Sequence, residues 1–167
     1  LIGVRRHRLL TDGNGITTLV AFHGCPLNCA YCLNPQCKTE NGIIRWITPK
    51  RLFNELMCDD IYFRSTGGGV CFGGGEPLLR CDFIKEFKKL CGERWKITVE
   101  TSLNVPKDNI VNLVNIVDEF IVDIKDMSST VYSKYTGKDN DNVLDNLQYL
   151  SDSNKSNKVL IRVPLIP

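Results

Sequence analysis

No stretch of this sequence approaches the roughly 18 consecutive apolar residues that a membrane span requires. The longest runs, such as Ile16 to Phe22 with two threonines inside, are strand-sized. The opening segment Leu1-Ile2-Gly3-Val4-Arg5-Arg6-His7-Arg8 is positively charged, but no apolar run and small-residue cleavage site follow it. It does not read as a secretory signal, so a cytoplasmic location with no membrane partner is expected. Net charge is also small, at +2 in 167 residues. Apart from Arg5 to Arg8, which read as a solvated edge, the basic residues are scattered. With no basic stripe, a nucleic-acid partner is not expected.

Cysteine, in contrast, is abundant. Eight cysteines without an export signal point to metal binding or catalysis rather than to disulfides, because reducing compartments keep thiols reduced. Cys58, Cys71, Cys81 and Cys91 stand apart and read as small buried hydrophobes. Cys25, Cys29, Cys32 and Cys37 are clustered.

Hydrophobic patterning suggests five strands, over residues 17–23, 70–73, 96–100, 119–124 and 158–163, most of them near-continuously apolar as strands covered on both faces are. Helical periodicity lies between them. Thr48-Pro49 starts one helix, which carries Leu52, Phe53, Leu56 and Met57. Asp82 can cap a second, with Phe83, Ile84, Phe87 and Leu90, and Gly92 can end it. A third starts at Pro106 with Ile110, Leu113, Val114 and Val117, and Val143, Leu144, Leu147 and Leu150 mark a fourth. The polar stretch 151–158 reads as a loop. Repeating βα units of this kind build a parallel sheet, either doubly wound or closed toward a partial barrel, and both place chemistry at the carboxyl ends of the strands.

The cysteine loop follows the first of these strands. In His23-Gly24-Cys25-Pro26-Leu27-Asn28-Cys29-Ala30-Tyr31-Cys32-Leu33-Asn34, three thiolates recur as C-x3-C-x2-C. Soft thiolates at that spacing suit iron–sulfur clusters or zinc. Three ligands on a four-iron cubane leave one iron open to a substrate, whereas a fourth ligand, Cys37 or His23, would close a zinc site or an electron-transfer cluster. The spacing alone leaves both open.

This loop, with aromatic Tyr31 before the third cysteine, resembles the signature of the radical SAM superfamily. The resemblance implies a [4Fe–4S] cluster on Cys25, Cys29 and Cys32 that cleaves S-adenosylmethionine (SAM), with Tyr31, Leu33 and Asn34 beside it. A glycine run closes the second strand, and its Gly74-Gly75-Glu76-Pro77 matches the GGEP element that receives the SAM amino group. Val122-Asp123-Ile124-Lys125-Asp126-Met127, with Tyr135-Thr136-Gly137 and Val143-Leu144-Asp145-Asn146-Leu147, is similar to the glycyl radical enzyme activating enzymes of the pyruvate formate-lyase activating type. That similarity adds Glu100, Thr101, Ser102, Asp123, Ile124, Lys125 and Arg162 as SAM contacts, with Lys125 counted among the catalytic residues. Departures include Gly13-Asn14-Gly15-Ile16-Thr17 for Gly-Pro-Gly-Ile-Arg, Leu33 for His, and Glu100-Thr101-Ser102 for Asp-Thr-Asn.

The resemblance covers about residues 12–167 and implies a single radical SAM domain over 1–167. The expected fold is a partial TIM-type barrel of five or six βα units, incomplete at its C-terminal end because relatives continue through a further strand. It implies an oxygen-sensitive oxidoreductase, an activase that stores a glycyl radical on a partner enzyme and draws electrons from flavodoxin or ferredoxin. Anaerobic ribonucleotide reductase activation, radical chemistry on a small molecule or peptide, and a non-enzymatic iron–sulfur or zinc module are the alternatives.

Overall fold

A computed structural model describes residues 1–153 and 155–165. Position 154 of the expected 151–158 loop, and positions 166 and 167 at the end of the matched region, lie outside the described residues. Among the described residues six strands form one sheet in the order of the chain: β1 (Gly3–Leu9), β2 (Ile16–Phe22), β3 (Gly69–Gly74), β4 (Lys96–Thr101), β5 (Glu119–Asp123) and β6 (Val159–Arg162). From β2 to β6 every neighbouring pair is parallel. This sequential parallel order is that of a partial α/β barrel.

The wholly parallel expectation needs one correction. β1 pairs antiparallel with β2, and its register shifts between Arg5 and Arg8, where His7 takes φ +55°. Four of its seven residues are polar or charged, so the strand lacks the apolar run that marks its neighbours. The basic cluster is also not simply solvated. Arg6 and His7 approach the buried Asp59 carboxylate at 3.6 and 3.2 Å, and Arg8 pairs with Asp12.

Among the described residues six α-helices accompany the strands: α1 (Pro49–Leu56), α2 (Asp60–Thr66), α3 (Cys81–Cys91), α4 (Lys107–Val111), α5 (Ser129–Thr136) and α6 (Asp141–Asp152). Thr48 caps α1 by accepting from Arg51 N at 3.2 Å. Asp82 is not the cap of α3. The helix begins one residue earlier, and Asp82 sits in its first turn, 3.7 Å from Lys85. The helix at Pro106 is shorter than expected, because after Val111 the regular ladder breaks into turns that mix i→i+3 bonds, such as Leu113 N to Ile110 O at 2.9 Å, with i→i+4 bonds, such as Val117 N to Leu113 O at 3.0 Å. Its predicted apolar face, Ile110, Leu113, Val114 and Val117, is nevertheless buried. Among the described residues no helix is long and apolar enough to cross a membrane.

The main core lies between the helices and one face of the sheet. Val20 and Phe22, Val70 and Phe72, Ile97 and Val99, and Phe120 and Val122 alternate onto that face along their strands. Phe22 stacks on Phe72 at 5.4 Å, and Phe72 meets Phe87 edge-on at 5.3 Å. Cys71 and Cys91 are buried as expected, but Cys58 is exposed and Cys81 only half-buried. Cys58 accepts from Arg6 Nη1 at 2.8 Å, and the Cys81 thiol donates to Leu78 O at 2.8 Å. Arg6 at the sheet edge keeps Cys58 at the surface, whereas Cys81, at the start of α3, packs against the margin of the core while its thiol bonds a carbonyl. With the aromatic layer on one face, Glu100, Asp123 and Arg162 are left to converge at the carboxyl ends of the strands.

Candidate cofactor site

The cysteine loop leaves β2 through Gly24, whose φ of +101° favours a residue without a Cβ. Backbone bonds then fasten the loop on two sides. Gly24 N donates to Cys37 O at 2.7 Å, and Asn28 N and Ala30 N donate to Thr136 O and Tyr135 O at 2.7 and 2.9 Å. A third tie joins it to the glycine run: Gly75 N donates to Phe22 O at 3.0 Å and Glu76 N to Gly24 O at 2.8 Å. A Cβ on Gly75 would lie 2.2 Å from the Gly24 carbonyl oxygen, so this approach requires glycine.

These contacts bring the thiols of Cys25, Cys29 and Cys32 to one cavity of about 610 Å³. Tyr31, Leu33 and Asn34 line it from the same loop, Gly74, Gly75 and Glu76 from the end of β3, and Glu100, Thr101 and Ser102 from β4. Asp123, Lys125 and Arg162 complete the wall. Ile124 stands apart from the other predicted residues, since its side chain packs into the core. Cys37 is also outside the lining, buried beside Ile2 and Ala21, but it packs against Cys25 and its thiol lies next to that of Cys32. His23 turns its Nε2 to Thr39 O at 2.9 Å. Among the described residues no three His, Cys, Asp or Glu side chains gather as they would around a single ion.

Burial pushes the Cys25 thiol up to about 12 and raises Cys29 as well, the latter opposed by nearby Lys125. Ligation by such thiols needs a cation able to displace the proton. The acid side of the cavity is differently built. Glu76 is fully buried, and burial raises its pKa, yet both its oxygens are satisfied. Oε1 accepts from Thr101 Oγ1 at 2.7 Å and Leu78 N at 3.2 Å, and Oε2 from Ser102 N at 3.0 Å and Ser102 Oγ at 2.7 Å. Along the opposite wall, Arg162 Nε donates to Asp123 Oδ1 at 2.7 Å, its Nη2 pairs with Glu100, and Lys125 Nζ donates to Asp123 Oδ2 at 3.2 Å. Lys125 also stands 6.0 Å from the centre of the Tyr31 ring.

Leu27 on the floor, and Val163, Pro164 and Leu165 at the rim, were missed as lining residues by sequence reasoning. Only the position of Leu27 between two cysteines could have signalled it. The donor set fits an iron–sulfur cluster: three thiols free of disulfides, on one loop, facing one cavity.

A thiol-rimmed cavity at the carboxyl ends of sequentially parallel strands defines a partial α/β barrel built to hold a soft-metal cofactor. The chain belongs to the radical SAM superfamily, whose family model matches residues 19–167. Members of that superfamily use a [4Fe–4S] cluster together with SAM. Among curated relatives, the chain is 35% identical to the pyruvate formate-lyase-activating enzyme of Clostridium pasteurianum, over 95% of this chain and 65% of the relative. It is 30% identical to the pyruvate formate-lyase 2-activating enzyme of Escherichia coli K12, over 100% of this chain and 66% of the relative. The (2S)-3-sulfopropanediol dehydratase activating enzyme of Klebsiella oxytoca is 32% identical, with 93% and 68% covered. The chain thus spans about two thirds of the length of the curated relatives it matches. A solved domain of the pyruvate-formate lyase-activating enzyme from Bacteroides vulgatus superposes with a TM-score of 0.52 at 32% identity, covering 60% of this chain and 62% of that one. Streptococcus suis SuiB, at TM-score 0.64 and 18% identity over 87% of this chain and 31% of its own, shares the fold.

Proposed function

We propose that this chain is the activating enzyme of a glycyl radical enzyme, holding a [4Fe–4S] cluster on Cys25, Cys29 and Cys32 and SAM in the cavity beside it. The reading is carried by one observation: three thiols, a buried acid and a row of paired charges share a single space of about 610 Å³. That volume is within the range of small-molecule sites. When bound, the cofactor pair supplies reductive cleavage of SAM and, with it, the power to abstract hydrogen from the Cα of a partner's glycine.

The residues of the chain bind and orient. Cys37 stays out of the ligand set in this reading: it does not line the cavity, although its thiol lies behind the lining next to Cys32, and one cluster corner is left without a protein thiolate. The Gly74 and Gly75 backbone receives the SAM ammonium group, braced from behind by the buried Glu76, whose oxygens are taken up by Thr101, Ser102 and Leu78 N. Lys125 and Arg162 present positive charge to its carboxylate, while Glu100 and Asp123 hold both cations in place. Tyr31 walls the cluster side, its hydroxyl buried and without a partner among the described residues. Leu33, 92% exposed and part of the cavity lining, is on this reading a contact for the incoming glycine loop of the partner.

Each turnover consumes an electron, so an external donor of the flavodoxin or ferredoxin kind is part of the proposal. Anaerobic reconstitution should give about four irons per chain and 5′-deoxyadenosine that forms only with reductant. A protein that fills with zinc and leaves SAM intact would refute the assignment. A protein that cleaves SAM yet leaves no glycyl signal on any cognate glycyl radical enzyme would keep the chemistry and remove the activase role.

A further inference from the structure

The buried face of α6 carries Val143, Leu150 and, between them, Asn146, an amide with no exposed surface. A buried amide that found no partner would cost about 1–3 kcal/mol, so its bonds are informative. Its Nδ2 donates twice, to Leu103 O at 2.9 Å and to Val105 O at 2.8 Å, while its Oδ1 is buried without a partner among the described residues, so the donors alone hold it to the turn. Both carbonyls belong to the turn that leaves β4. That turn is strained, because Leu103 takes φ +58°, a left-handed conformation that a leucine rarely adopts without support. Val105 N closes the turn on Leu103 O at 2.9 Å.

The same turn aims two hydroxyls. Thr101 Oγ1 accepts from Leu103 N at 3.0 Å, and Ser102 Oγ accepts from Asn104 N at 3.4 Å. Each hydroxyl therefore has its proton left to give, and both give it to Glu76 at 2.7 Å. Asn104 is itself held from the α5 and α6 side. Its Nδ2 donates to Tyr132 Oη at 3.0 Å and Asp139 O at 2.7 Å, and its Oδ1 accepts from Asn142 Nδ2 at 3.3 Å.

We propose that Asn146 is a positioning residue for SAM binding: by clamping the 103–105 turn it keeps Thr101 and Ser102 directed at Glu76, and so fixes the buried acid that braces the Gly74-Gly75 backbone where the SAM amino group is received. The proposal rests on the reading of the cavity given under Proposed function. Asn146 does not line the cavity and acts only through the turn.

The test is the SAM dissociation constant of the anaerobically reconstituted protein by isothermal titration, with iron content and far-ultraviolet circular dichroism measured on each variant. Asn146→Leu keeps the size of the side chain and removes both donors. It should weaken SAM about tenfold or more while leaving iron per chain unchanged. The discriminating comparison is a cycle with Ser102→Ala. If Asn146 works through the grip of Ser102 and Thr101 on Glu76, the double variant loses less than the sum of the two single losses. Additive losses, or an Asn146→Leu protein that binds SAM as the parent does, overturn the proposal. Should Asn146→Leu fail to fold, Asn146→Ser, which retains a single donor, carries the same cycle with a smaller shift. A parent protein that loads iron but does not bind SAM overturns the reading of the cavity itself, a result distinct from any behaviour of the variants.

Discussion

Cys37 distinguishes a closed metal site from an open one. It follows the three loop thiols closely in sequence and its thiol lies next to that of Cys32, yet it is 1% exposed, packs with Ile2 and Ala21 and does not line the cavity. Replacing Cys25, Cys29 or Cys32 individually by Ala should lower bound iron after reconstitution to below about a tenth of the parent value. Cys37→Ala should keep most of it, as iron analysis would show. Asp60 illustrates a different residue-scale effect. The bond from Arg94, with a second from Trp95 Nε1 at 2.7 Å, holds its carboxyl below the usual carboxylate range. Its stabilisation is therefore complete above that range and is lost as pH falls from it down through the lower value of the folded state. Asp60→Asn should flatten the acid limb of a stability profile followed by thermal melting. The three thiols were legible because their spacing is local. The partners of Glu76 were not, since Thr101 and Ser102 lie 25 and 26 positions away and only the fold brings them to it.

Helices and turns record where local signals sufficed. Thr48-Pro49 marked the start of α1 because cap and first-turn proline are adjacent in sequence. Thr48→Ala, which removes the acceptor for Arg51 N, should cost about 1 kcal/mol in urea denaturation. β1, α2 and α5 were not anticipated. β1 is an edge strand rich in arginine, α2 buries Phe63 alone, and α5 buries Tyr132 and Thr136, so none presents a periodic apolar stripe. Their positions are set by tertiary contacts, as when the carbonyls of Tyr135 and Thr136 accept from the cysteine loop. The glycine run shows the opposite case, with its purpose visible in sequence and its reason visible in space. Gly75→Ala would drive a methyl group into the Gly24 carbonyl and separate β3 from the cysteine loop. A loss of about 2 kcal/mol or more and a collapse of SAM cleavage should follow, the first read by melting and the second by 5′-deoxyadenosine formation.

Across the whole molecule, the order β1 to β6 follows the chain, and that order delivers the loop after β2, the glycines of β3, the acids of β4 and β5 and the arginine of β6 to one end of the sheet. The βα repeat was readable from the alternation of apolar strands and helical stripes. Whether the sheet stays open or curves was not, because the choice depends on how strands twist over one another and not on any single segment. The account depends on a cluster held by three protein thiols with its fourth iron free to meet SAM. Electron paramagnetic resonance of the reduced, reconstituted protein before and after SAM addition tests that most directly, run in parallel on Cys37→Ala. A cluster signal that shifts when SAM is added, in both proteins alike, is the predicted result; a signal indifferent to SAM, or one lost with Cys37, would contradict it.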